Sequence, residues 1–253
     1  MRVIIKNTAA EAELETAKII ANEIRIKPEY KLGLATGRTM EAVYANLVKM
    51  NKAGELDFSI VKTFNLDEYI GLSPDDKNSY HYYMNYHLFS KINIDLRNTH
   101  VPQGDVEDVA LAAYEFECAM QDAGGVDLQL LGIGRTGHIG FNEPLSSFAS
   151  RTREVTLTEL TYQQNSPLFD NPADMPMHAV TMGVGTILEA GKLLLLATGT
   201  EKADIIAKTI EGPITSMISA TALQLHPDAT VVLDEEAAAK LVGKESYKWM
   251  MTH

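Results

Sequence analysis

Short apolar runs alternate with longer segments of mixed polarity along most of the chain. Arg2–Ile5, Lys31–Ala35, Ile60–Phe64, Val126–Leu131, Ala179–Met182, Lys192–Thr198 and Thr230–Leu233 are brief and rich in Val, Ile and Leu. Their length and composition predict strands. Between them, helices are predicted from Thr8, from the turn after Ala35 to about Met50, over Ser79–Phe89 and Val106–Ala123, and over Glu201–Glu211 and Glu235–Val242. Thr8 with Glu11 three residues on is a capping-box pattern. Continuous apolar strands separated by helices predict an α/β fold: a Rossmann-like, largely parallel sheet with helices on both faces. The stretch Glu143–Ala179 breaks the alternation and carries Pro144, Pro167, Pro172 and Pro176. It reads as irregular, a lid insertion around 145–180 on a single domain spanning 1–253. Such a lid would lie over the C-terminal strand ends, where open α/β sheets bind ligands. No fixed-period repeat or low-complexity tract is visible.

Composition narrows the functional classes. The 253 residues suit one large α/β domain, and the 22 basic against 34 acidic side chains leave a formal charge of −12. That balance argues against nucleic acid or an anionic membrane as partner. A small anion would need a local cluster of cations and backbone N–H groups. The single Cys118 excludes an intramolecular disulfide and a multi-cysteine metal site, which suits a reducing compartment. With no signal-like apolar segment near the start and no run near the ~18 residues of a membrane span, a cytoplasmic location is expected. No metal site is expected either: His81 and His87 lie six apart, on different faces of a helix. The tyrosines between Tyr80 and Tyr86 read as core packing or an interface, and His226 beside Pro227 as a loop residue.

Three loops carry candidate chemistry. Thr36-Gly37-Arg38-Thr39 joins a strand to a helix, leaving N–H groups that suit a phosphate; an ordinary turn capped by Thr39 fits equally well. Asp67, in Phe64-Asn65-Leu66-Asp67-Glu68-Tyr69, fits a general base at a strand end or a helix-capping carboxylate. The loop Gly132–Pro144 contains G-x-G-x-x-G after a strand, but Gly140 and Pro144 stand where a dinucleotide fingerprint requires a helix. What it offers instead is His138 five residues before Glu143, a proton carrier with a carboxylate to orient it.

Taken together, these blocks resemble the glucosamine/galactosamine-6-phosphate isomerase family over nearly the whole chain. The match rests on LGLATG (32–37), TFNLDEYIGL (63–72), SYHYYM (79–84), GIGRTGHIGFNEP (132–144), SRT (150–152), AVTMGVGTIL (179–188) and ALQLHP (222–227). The resemblance implies an amino-sugar phosphate as substrate and no cofactor. It assigns ring opening to His138, supported in a relay by Glu143 and by position 136, and assigns C2-to-C1 proton transfer to Asp67. It implies deamination of glucosamine 6-phosphate to fructose 6-phosphate and ammonia. Lys202 matches a phosphate-binding cation. Ser146 and Arg153 match activator-binding residues of allosteric members, although their basic partner is replaced here by Val155.

The sequence departs from the family pattern at three places. Thr136 replaces the usual Asp or Asn of the relay. Pro167 stands where the family lid has its arginine, and Arg38 has appeared in the phosphate turn. Arg38 with Lys202 is therefore expected to clamp the substrate anion. The same departures leave open an isomerase acting on another anionic sugar, such as galactosamine 6-phosphate. A 6-phosphogluconolactonase is disfavoured by the intact FNLDEY block. A non-catalytic sugar-phosphate sensor is disfavoured by retention of Asp67, His138 and Glu143. The sequence does not fix the oligomeric state, a homo-oligomer included.

Overall fold

The computed structural model describes residues 1–251. Seven strands form a wholly parallel sheet in the order β1 (Arg2–Lys6), β10 (Ala229–Asp234), β9 (Leu193–Ala197), β6 (Leu128–Leu131), β2 (Lys31–Leu34), β3 (Lys62–Asn65) and β5 (Thr99–His100). A separate antiparallel sheet joins β4 (Asp67–Tyr69), β8 (His178–Thr181) and β7 (Arg153–Thr156). The helices are α1 (Ala9–Ile26), α2 (Arg38–Lys52), α3 (Tyr80–His87), α4 (Val109–Asp122), α5 (Glu159–Asn165), α6 (Val184–Leu188), α7 (Ala203–Glu211) and α8 (Lys244–Met250). The α/β class and the mostly parallel sheet are as the apolar pattern predicts. Central strands β6, β9 and β10 are buried at every position, which is why they show no polar alternation.

Local chemistry sets the element ends. Thr8 caps α1 by accepting from the Glu11 N–H, while Glu11 reaches back to the Asn7 N–H, one residue before the usual capping-box partner. Asp108 accepts from the Leu111 N–H, so α4 begins at Val109, three residues later than the polarity pattern predicts. The expected helix over Glu235–Val242 is absent: the segment folds as successive turns. Asp234 is the cause. Its carboxylate accepts from the Gly199 and Ala237 N–H groups, which ties the segment to the neighbouring strand end. The helix comes afterwards, as α8.

The 145–180 segment is not irregular. It contains β7, α5 and two short 3₁₀ turns before entering β8. Tyr69, Phe141, Leu157, Phe169, Met175 and Ala179 form a small apolar cluster of their own, separate from the core around the main sheet. Phe169 meets the Tyr69 ring edge-on, with centroids 5.8 Å apart. A sequence window cannot reveal this arrangement, because strands as short as β4 gain stability only from pairing.

Candidate active site

The end of β3 delivers the first carboxylate. The chain leaves the main sheet at Asn65, is held by the Leu66 N–H to the Leu34 carbonyl (3.0 Å), and enters β4. Pairing with β8 sets Asp67 opposite Thr181, and β7 completes the row with Arg153. Asp67 therefore caps no helix. It is 6% exposed, and no donor among the described residues reaches its carboxylate. Burial, and then the charge of Glu68, push its proton affinity up to about 8.

The second part is the glycine loop after β6. Its first turn closes with the Gly134 N–H on the His138 carbonyl (2.9 Å). The His138 ring lies so close over Gly134 that a Cβ there would be 2.1 Å from Nε2. Gly140, at φ +56°, passes beside the β4–β8 pair: a Cβ would fall 2.8 Å from Thr181 Oγ1 and 3.5 Å from Asp67 Oδ2. The glycines at these two positions thus let the loop bring His138 and Asp67 to one place. The Phe141 N–H donates to Thr181 Oγ1 (3.0 Å), fixing the loop to the same strand.

Within the loop, His138 Nδ1 lies 3.1 Å from Glu143 Oε2 and 2.8 Å from Thr136 Oγ1, while the Thr136 hydroxyl donates to Glu143 Oε2 (3.3 Å). Two acceptors around Nδ1 select the tautomer with its proton there, leaving Nε2 with a lone pair. Thr136 thus completes the triangle as a neutral bridge, and Glu143 supplies its charge. The other Glu143 oxygen accepts from the Thr158 and Thr161 hydroxyls, at the start of α5. Burial opposes ionisation of Glu143, but the His138 hydrogen bond and charge and these hydroxyls prevail and hold it at about 2.

The βα turn flanks the same loop. Gly37 (φ +108°) stands at the N-cap of α2 with no side-chain cap, so Thr39 does not cap this helix. The Arg38 and Thr39 N–H groups have no acceptor among the described residues. The Tyr83 hydroxyl donates to the Gly37 carbonyl (2.8 Å), and the Thr36 hydroxyl is within reach of Tyr80. Arg38 is exposed, and its guanidinium makes no hydrogen bond or ion pair among the described residues. Across the loop, Lys202 Nζ donates to the Ile133 carbonyl (2.8 Å). Its proton affinity is lowered, first by burial and also by Arg135, against the opposing charge of Glu201. Arg135 is a cation that the sequence does not single out; only its place in the glycine-rich loop marks it.

Ser146 and Arg153 line a groove of about 360 Å³ together with Glu143 and Val155. Arg153 donates to Asn142 Oδ1 (3.0 Å) and Ser146 Oγ (3.2 Å). Pro167 is exposed in a 3₁₀ turn. A larger cleft of about 480 Å³, lined by Arg2, Lys18 and Lys192, opens at the N-terminal strand ends and contains none of the residues above. Of the residues set aside earlier, His226 is buried and bonded to the Ala190 carbonyl (2.7 Å), whereas Tyr82 and Tyr86 are exposed. Among the described residues no group of three or more His, Cys, Asp and Glu could hold a metal ion, and no helix is long and apolar enough to cross a membrane.

The family model described as glucosamine-6-phosphate isomerases/6-phosphogluconolactonase matches residues 5–232. Glucosamine-6-phosphate deaminase of Shewanella loihica is 49% identical over 98% of this chain and 92% of its own length. That of Thermoanaerobacter pseudethanolicus is 48% identical over 98% of both. A solved structure of a monomeric glucosamine-6-phosphate deaminase superposes with a TM-score of 0.93 at 44% identity, covering 95% of this chain and 100% of that one. The 6-phosphogluconolactonase of Thermotoga maritima, at 18% identity and a TM-score of 0.67 over 92% of this chain and 98% of its own, shares the fold.

Proposed function

The chain belongs to the glucosamine-6-phosphate isomerase/6-phosphogluconolactonase family, and from that premise we propose that it converts glucosamine 6-phosphate to fructose 6-phosphate and ammonia. His138 Nε2 takes the O1 proton of the pyranose and returns it to the ring oxygen, opening the ring. Asp67 then removes the C2 proton while O1 takes a proton from the substrate ammonium, which gives the enolamine, and Asp67 returns the C2 proton to C1. The enolamine becomes an imine at C2, and water displaces ammonia. Glu143 and Thr136 hold the His138 tautomer and stabilise its protonated form between the two transfers. The N–H groups of Arg38 and Thr39, the Thr36 hydroxyl, Lys202 and Arg38 bind the phosphate. The 145–180 segment acts as the lid, and the Ser146–Arg153 groove is a candidate effector site without its second cation.

The observation that carries this reading is Asp67: a buried carboxylate without donors, facing a loop whose histidine is already oriented by a carboxylate. Desolvation makes it a strong base at the point where the substrate excludes water. The test is ammonia release from glucosamine 6-phosphate, galactosamine 6-phosphate and unphosphorylated glucosamine. Turnover of the first, at the highest kcat/KM, is expected. Equal or better turnover of galactosamine 6-phosphate would reassign the substrate, and no ammonia from any would end the proposal.

A further inference from the structure

Asp67 and Glu68 are adjacent, and both are buried, yet their surroundings are opposite. Asp67 has no donor, whereas Glu68, 1% exposed, accepts four hydrogen bonds. The N–H groups of Tyr69 (2.8 Å) and Tyr80 (2.9 Å) reach Oε1. The N–H of His81 (3.0 Å) and its ring Nδ1 (3.0 Å) reach Oε2. Successive strand residues point to opposite faces, so β4 directs Asp67 one way and Glu68 the other. The donors from Tyr80 and His81 belong to the first turn of α3, the end of a helix that carries positive potential. Glu68 therefore fastens β4 to α3 while lying beside the proposed base.

We propose that Glu68 is a positioning residue for the proton transfer at Asp67: clamped by the α3 N-terminus and His81, it fixes β4 so that Asp67 faces the substrate and sets a second carboxylate next to it on the strand. This rests on the deaminase reading above. The titratable groups around Asp67 are Glu68 and Tyr69 on its own strand, Tyr44 on α2 and Tyr80 on α3. From β8 and the glycine loop, the nearest neighbours are the uncharged Thr181 and Gly140, with His138 in the same loop and Arg153 across Thr181 on β7. Glu68 is thus the one charged group acting on Asp67 among them, and it acts in the same direction as burial.

Two variants move the base in opposite directions. Glu68→Gln removes the adjacent charge, and the acid limb of kcat/KM should fall by about one pH unit, with a weaker base lowering the plateau by about tenfold. His81→Phe removes only the ring donor and leaves the three backbone donors, so the charge of Glu68 is less compensated and the limb should rise. A general loosening that admits water would lower the limb in both, so the opposed shifts separate charge from structure. Substrate ionisations are common to all the proteins compared. Opposed shifts support the proposal; limbs that stay in place while rates fall evenly at all pH, or that move down together, overturn it. Should Glu68→Gln fail to fold, His81→Phe decides alone: an upward shift supports and an unmoved or lowered limb refutes. If the unsubstituted protein releases no ammonia from glucosamine 6-phosphate, it is the deaminase reading that fails.

Discussion

Asp67 is a carboxylate with almost nothing to stabilise its charge, and that defines what its replacement should do. Asparagine is nearly isosteric and cannot accept the C2 proton. Asp67→Asn should lower turnover and C2 proton exchange by at least ~10²-fold while leaving substrate binding largely intact. Exchange at the parental rate would refute the assignment. The same group has a thermodynamic signature. Its folded proton affinity lies near 8, against 3.8 ordinarily. The native state therefore favours the protonated acid, and above the unfolded value stability declines as pH rises towards 8. Asp67→Asn should accordingly raise Tm by several degrees at pH 8 and change it little at pH 4, as scanning calorimetry can show. Asp67 and the pair His138 and Glu143 were legible as candidate residues, because polar groups at an apolar strand end stand out in sequence. Glu68 was not. Its carboxylate matters through backbone donors from α3, twelve and thirteen residues away, which no local pattern displays.

At the level of elements, the site is a glycine loop laid across two strand ends. His138 is oriented through Nδ1 and free at Nε2, so His138→Gln should slow turnover of the cyclic substrate far more than the reverse reaction of open-chain fructose 6-phosphate with ammonia. Equal losses in the two directions would move His138 to another role. The turn preceding α2 is the partner element, and the two candidate arginines for the anion differ in setting. Arg38 has no partner among the described residues, whereas Arg135 stands in the same loop as His138 and acts electrostatically on Lys202. Loss of a charged hydrogen bond is worth ~1.5–3 kcal/mol, so Arg38→Ala should raise KM for glucosamine 6-phosphate ten- to hundredfold. Arg135→Ala provides the control: an unchanged KM in the first and a raised KM in the second would transfer the clamp to Arg135. The strands and the βα turn could be read from apolar runs and glycine positions. The antiparallel β4–β8–β7 sheet could not, because β4 is three residues long and pairs with segments far along the chain.

Across the whole molecule, a chain of net charge −12 gathers Arg38, Arg135 and Lys202 around one loop at the C-terminal strand ends. An anion bound there, as proposed, would sit in a local reversal of the global field, and association should slow as salt screens those cations. The α/β class was legible because seven apolar runs alternate with helical stretches. The helix misplaced to 235–242 shows the limit: Asp234 answers to a neighbouring strand end rather than to its own segment. The Thr158 and Thr161 hydroxyls that hold Glu143 belong to the same segment as the small apolar cluster, outside the main core. Such a segment can open as its own cooperative unit. On warming, catalysis should then fade before the sheet melts, and a protease cutting among the exposed residues Gln163, Gln164, Pro167 and Leu168 should leave a folded but silent protein.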